Sequence, residues 1–296
     1  MSVVDKLVKL IRETSSSLPP DVLKALKAAL KKERKGSSAA VVLKTILDNC
    51  AIAAKRGTPL CQDTGTLTFF VDERLRRKVT PDVIKRAVAI ATEKGYLRKN
   101  TIDAVTGRSY DDNICEGAPV IHYVGSDSVA LGSMESGSSK SQDALRPKVT
   151  LILKGGGSEN MSRQYSLPDS ALGAGRDLAG VRKCILDAVQ KIQGYGCAPG
   201  ILGVCIGGDR ATGYEVAKEQ LLRPLDESDK TGQTEIVKLE KRLLKEANSL
   251  GIGPMGLGGK TTLLGVKIAA RPRVPASFFV TIAYMCWACR RRSLQV

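Results

Sequence analysis

Six short β-rich runs set the limits on this fold: Leu67–Val71, Val120–Val124, Val149–Leu153, Ile201–Ile206, Val266–Ala270 and Ser277–Met285. Each is strand-sized, and glycine-rich turns or amphipathic helical stretches separate them. The helical period runs through residues 2–14, 20–34 and 37–55, then through 81–94, 177–193, 211–222 and 234–250. Pro20 and Asp21 open the second helix, while Thr80 caps the fourth and Gly95 stops it. This mixture predicts an α+β fold, with a helical N-terminal layer packed on mixed β-sheets. The chain is read as one domain over 1–296, with a helical part over 1–57 and a cluster- and substrate-binding part over 58–296. Residues 125–147 are rich in Ser, Gly and Asp and predict a long surface loop.

Charge narrows the choice of partners. The 46 basic and 30 acidic residues give a net charge of +16, which suits an anionic partner. The clusters Lys31–Lys35, Arg74–Lys78 and Arg290–Arg292 are short, and aromatic side chains make up only 4% of the chain. A single-strand platform needs aromatics between its cations, so steering of small anions is the better reading. No apolar run reaches the roughly 18 residues of a membrane-spanning helix, and the first 14 residues carry five charges, unlike a secretory leader. A cytoplasmic protein with reduced thiols is expected.

The eight cysteines fall into groups by context. Cys50 and Cys184 sit at helical spacing among apolar residues, and Cys205 lies within a strand, so all three read as core. Cys115, in a polar turn, stays ambiguous. Cys61 precedes Gln62-Asp63-Thr64-Gly65, Cys197 lies in the glycine-flanked turn 194–200, and Cys286 follows the last apolar run. Cysteines at element ends can converge on a metal while backbone N–H groups serve their sulfurs. Cys286 and Cys289 also form a Cys-x-x-Cys pair, a weak zinc or redox signal without a second pair. His122, the single histidine, reads as a strand residue.

Two glycine segments complete the pattern. Lys154-Gly-Gly-Gly-Ser158 follows a strand and can aim successive N–H groups at an anion. That segment lacks the spacing of a nucleotide fingerprint, and residues 251–261, which look like a phosphate loop, follow a helix rather than a strand.

Together these residues resemble the class I fumarate hydratases and tartrate dehydratases, specifically their alpha subunit or N-terminal domain. The resemblance rests on Pro59–Gly65, Leu97–Asn100 with Asp112-Asn113, Lys154–Asn160, Cys197–Gly200 with Gly203–Gly208, Leu250–Pro254 and Cys286–Arg291. It implies a hydro-lyase of the tricarboxylic acid cycle with a [4Fe-4S] cluster on Cys61, Cys197 and Cys286, whose fourth iron acts as a Lewis acid. It implies that Arg98 grips a substrate carboxylate, that Gln62 and Asp63 contact substrate or water, and that Gly156 and Gly157 offer backbone N–H groups. Asp63 is the one catalytic candidate. The stretch Arg271–Ala276 lacks a histidine common in the family, and the loop near 126–147 looks longer than usual. The family's C-terminal part is absent, so a beta subunit is expected to complete a hetero-oligomer of two alpha and two beta chains, with no membrane or nucleic-acid role. The alternatives are an L-tartrate dehydratase alpha subunit and, in another class, a non-enzymatic basic iron–sulfur or nucleic-acid-binding protein.

Overall fold

The computed structural model describes residues 1–126, 128–131, 146–226 and 234–296. Most of the expected 125–147 loop therefore lies outside the described residues. The chain divides into two compact units. The first comprises Met1–Pro20, Leu47–Gly156 and Ala288–Val296; the second comprises Asp21–Ile46 and Gly157–Trp287. The N-terminal helical residues 1–57 are thus shared between the units.

The first unit is built on a mixed four-stranded sheet. Its strands are β1 (Thr66–Asp72), β4 (Val120–Val124), β5 (Lys148–Lys154) and β10 (Arg290–Gln295), in the order β10-β5-β1-β4. β1 runs parallel to β4 and antiparallel to β5, and β10 pairs antiparallel with β5. Alternation along β1 sends Leu67, Phe69 and Val71 to one face, where Leu151 and Leu153 of β5 join them. Helices α1 (Val3–Ser16) and α4 (Pro81–Glu93) cover that face with Leu7, Leu10, Ile11, Ile84 and Val88. Ser2 and Asp5 form a capping box at the start of α1, and the Thr80 hydroxyl caps α4 as the sequence predicts. A small hairpin, β2 (Thr101–Ile102) and β3 (Ser109–Tyr110), follows α4.

The second unit holds the other mixed sheet, β6 (Arg163–Ser166), β9 (Phe279–Met285), β7 (Gly200–Ile206) and β8 (Leu263–Ala270), in that spatial order. Here β7 is parallel to β8 and antiparallel to β9. Leu202, Val204, Ile206, Ile282 and Tyr284 meet helices α6 (Leu178–Ile192) and α8 (Thr234–Ser249) on one face. Helix α7 (Arg210–Gln220) lies on the other, close enough that a Cβ on Gly203 would strike the Ala217 carbonyl. Gly203 is therefore a packing requirement rather than a flexibility element. Arg223 and Glu240 form a buried ion pair, 3.3 Å apart, and the Glu240 carboxylate also accepts from the Ile268 amide at 2.6 Å. The remaining helices are α2 (Pro20–Lys32), the long α3 (Ser38–Arg56), which passes from the second unit into the first, and the single turn α5 (Gly156–Asn160). No described helix is long and apolar enough to cross a membrane.

Candidate active site

In the first unit the segment before β1 is anchored from both sides. The Leu60 amide donates to the Ser15 carbonyl at 2.8 Å, and Asn49 Nδ2 donates to the Leu60 carbonyl at 3.0 Å. These bonds fix the chain where Cys61, a partly buried thiol, begins the turn. At the far end Gly65 has φ +74°, and a Cβ there would overlap the Lys154 carbonyl, so only glycine fits. The turn 61–65 is thereby pressed onto the end of β5, where the triple-glycine motif starts.

Three motifs distant in sequence meet at Asp63. Its Oδ2 accepts from the Gly156 amide at 2.7 Å, and its Oδ1 accepts from Asn100 Nδ2 at 3.2 Å. The Asp63 carbonyl accepts from Nη2 of Arg290, a side chain only 2% exposed, at 2.7 Å. Arg98 stands beside them, exposed, with Nη1 donating to the Gln62 carbonyl at 3.2 Å. Its backbone is held by Thr64, whose Oγ1 accepts from the Arg98 amide at 2.8 Å. Asn113 holds the same stretch: Nδ2 donates to the Arg98 carbonyl at 2.8 Å, and Oδ1 accepts from the Asn100 and Thr101 amides at 3.1 Å each. Of the candidate substrate contacts, Gln62, Asp63, Arg98 and Gly156 are gathered in one unit, and Gly157 opens the other. The Gly156 N–H, expected to face substrate, is engaged by Asp63 here.

The second unit brings two of the candidate ligands together. Cys197 is exposed and has φ +52°, a left-handed conformation that a non-glycine residue adopts at some cost. Its carbonyl accepts from the Trp287 amide at 3.3 Å, and the neighbouring Ala198 carbonyl accepts from the Met255 amide at 2.9 Å. Cys286 follows β9 directly, with its amide donating to Ser158 Oγ at 3.2 Å. The ring of Tyr284, 1% exposed, packs against Gly196 and Gly200 of the turn that carries Cys197. Burial first, then Cys286 and Cys197, holds its hydroxyl protonated far above the usual range.

The cysteines read as core behave as core. Burial pushes the Cys50, Cys184 and Cys205 thiols up to about 11. Cys115 forms a turn bridge with Ala118 and is partly exposed. His122 lies on β4 and stacks on Phe70, with ring centroids 5.2 Å apart. Among the described residues, no group of three or more His, Cys, Asp and Glu side chains is assembled as a metal site. Two thiols beside one buried hydroxyl, in a unit whose other cysteines are held as neutral thiols or buried, are a donor pair that suits iron.

Arg290, Asn113, Asn100 and Thr64 were not singled out from sequence as holding the site. All four stand within the motifs quoted above, but a backbone-holding role leaves no spacing signal.

Against known proteins, the fumarate hydratase (Fumerase) family model matches residues 4–295. A "Putative fumarate hydratase class I" of Geobacillus stearothermophilus is 46% identical over 99% of this chain. The match spans 54% of that relative, about half its length. A "Putative L(+)-tartrate dehydratase subunit alpha" of Methanocaldococcus jannaschii is 34% identical over 98% of this chain and 96% of its own. The L(+)-tartrate dehydratase subunit alpha of Escherichia coli UTI89 is 29% identical over 99% and 91%. The chain belongs to the fumarate hydratase (Fumerase) family of hydro-lyases.

Proposed function

We propose that this chain is the cluster-bearing alpha part of a class I hydro-lyase that interconverts fumarate and malate. The observation that carries the reading is the meeting of residues 62–63, 98–100 and 156 around the Asp63 carboxylate. An exposed guanidinium beside a carboxylate and an amide is suited to gripping one end of a dicarboxylate while a proton or water is handled nearby.

In this reading Cys61, Cys197 and Cys286 hold a [4Fe-4S] cluster. A bound cluster with one iron lacking a protein ligand supplies Lewis acidity toward the substrate hydroxyl, which is otherwise a poor leaving group. The chain's own residues do the rest. Arg98 pairs with a substrate carboxylate. Gln62 orients substrate or water. Asp63 exchanges its present bonds to Gly156 and Asn100 for contact with substrate or water, which releases the Gly156 N–H, with that of Gly157, to a substrate oxygen. Residues 1–296 act as one functional domain. A beta partner, separate or covalently joined, supplies the remaining contacts, in a hetero-oligomer of two alpha and two beta chains. The half-length match to the Geobacillus protein and the subunit names of the tartrate dehydratases support the need for such a part. A cytoplasmic setting and a place in the tricarboxylic acid cycle go with this reading, and eight cysteines outside any disulfide suit a reducing compartment.

L-tartrate dehydration is the second reading. It is favoured by the near full-length match to two named tartrate dehydratase alpha subunits, whereas the higher identity to the Geobacillus protein favours fumarate. The test is anaerobic co-purification with the beta partner, followed by assays on fumarate, malate and tartrate. A brown, oxygen-labile protein active on fumarate is expected. An iron-free protein after anaerobic reconstitution sinks the ligand assignment, and activity on tartrate alone selects the second reading.

A further inference from the structure

The Tyr284 hydroxyl is buried and has no hydrogen-bond partner among the described residues. Such a group is destabilising, and native cores rarely keep one without a use for it. Phenylalanine would fill the same space. The position of the ring says where the hydroxyl is needed. A Cβ on Gly196 would fall into the ring, and one on Gly200 would fall against the hydroxyl. The ring is therefore lodged in the 194–200 turn that presents Cys197. Cys286 follows two residues later, just past the end of the same strand.

The backbone around the ring is fixed by two serines of one short segment. Ser162 Oγ accepts from the Tyr284 amide and Ser158 Oγ from the Cys286 amide, each at 3.2 Å. The Trp287 amide, in turn, is given to the Cys197 carbonyl. The Tyr284, Cys286 and Trp287 amides are thus committed, while the phenol O–H, lodged in the turn of Cys197 and two residues from Cys286, has no acceptor among the described residues.

We infer that Tyr284 is a positioning residue whose hydroxyl donates a hydrogen bond to sulfur at the Cys197/Cys286 pair when those thiols are deprotonated and hold iron. The inference rests on the ligand reading proposed above. A metal-bound thiolate keeps lone pairs that accept such a donor, and the bond draws negative charge off sulfur. Hydrogen bonds to sulfur raise the potential of an iron–sulfur centre and steady its ligands. The bond would exist only in the loaded protein, which explains an unsatisfied hydroxyl otherwise.

The test compares wild type with Tyr284→Phe, each reconstituted anaerobically with iron and sulfide. Without iron, the variant should melt at the same temperature as wild type or higher, because it loses only an unpaired hydroxyl. With iron, its potential should move to a more negative value, its Fe–S stretching bands should shift, and a chelator should strip its iron several-fold faster. Tyr284→3-fluorotyrosine, a stronger donor of nearly the same shape, should move the potential the opposite way and serves if the phenylalanine variant folds poorly. An unchanged potential and release rate in both variants overturns this inference alone. A wild-type chain that takes up no iron overturns the ligand reading and this inference with it.

Discussion

Replacing Asn113 by alanine removes one fully buried side chain and four hydrogen bonds at once. Two of the bonds reach the Asn100 and Thr101 amides, one reaches the Arg98 carbonyl, and one reaches Thr92 Oγ1 at 3.1 Å. Each is worth about 1 kcal/mol net, but water can replace part of the loss at the exposed Arg98–Asn100 edge, leaving about 2–3 kcal/mol. Asn113 also sits at φ +61°, where asparagine is tolerated and alanine adds about 1 kcal/mol. The sum, about 3–4 kcal/mol, should lower the melting temperature of the first unit by about 6–15 °C. Asn113→Gly keeps the left-handed backbone, so it should recover about 1 kcal/mol of that loss but none of the bonds. Calorimetry measures the shift, and hydrogen exchange at the Asn100 and Thr101 amides reports the local release. In the assembled enzyme the same variant should raise KM more than it lowers kcat, because it loosens the arginine rather than removing it. A variant melting within a degree or two of wild type, with Asn100 and Thr101 still protected, would refute the claim that Asn113 holds the Arg98 segment.

Gly65→Ala should misplace the Cys61–Gly65 turn, since its Cβ has only the Lys154 carbonyl to occupy; loss of iron uptake measured by absorbance checks this. Cys61→Ser and Cys286→Ser should abolish the cluster while Cys289→Ser keeps it, read by iron content after anaerobic reconstitution. Glu240→Gln leaves the Arg223 guanidinium buried beside a neutral partner and should cost about 3 kcal/mol by denaturant titration, more than removing a surface pair. The Arg74 guanidinium beside Asp72 holds that carboxyl below the usual value of 3.8. A depressed carboxylate stabilises the fold above its unfolded value and loses that effect as pH falls through the folded one. The advantage of wild type over Asp72→Asn, about 1 kcal/mol because Arg74 is half exposed, should therefore be full at pH 6, start to fall only near the unfolded value of 3.8 and be gone once pH has passed below the folded one in melting curves.

Periodicity made the elements legible because burial on one face writes itself into spacing. All six β-rich runs are strands, and Thr80 caps its helix as read. The strand β10 escaped notice because Arg290-Arg-Arg-Ser-Leu-Gln295 carries charge where a strand usually carries apolar residues. Its pairing with β5 supplies what composition did not, and Nη2 of the buried Arg290 donates to the Asp63 carbonyl rather than to a carboxylate. Likewise β6 is four residues long, too short for alternation to stand out. The division into two units was also invisible, since the chain crosses between them four times, after Pro20, inside α3, within the triple glycine and after Trp287, with no long linker at any crossing.

The same contrast separates two kinds of site residue. Gln62, Asp63 and Arg98 became candidates through the family resemblance of the motifs around them, since Arg98 by itself reads as a surface arginine. Asn113, Thr64 and Arg290 act on backbone carbonyls and amides, and any polar residue in a turn could do so, so only coordinates reveal which ones do. That backbone role gives the site its stiffness. The Asp63 carboxylate is held by the side chain of Asn100 and the amide of Gly156, and its own carbonyl by Arg290. On the proposed reading, substrate capture trades the first two bonds for contacts of similar strength, whereas the third can persist. Arg290 therefore anchors the turn that bears Cys61 while Asp63 changes partners, and Arg290→Lys, which shortens the reach and removes the planar fork, should loosen both together.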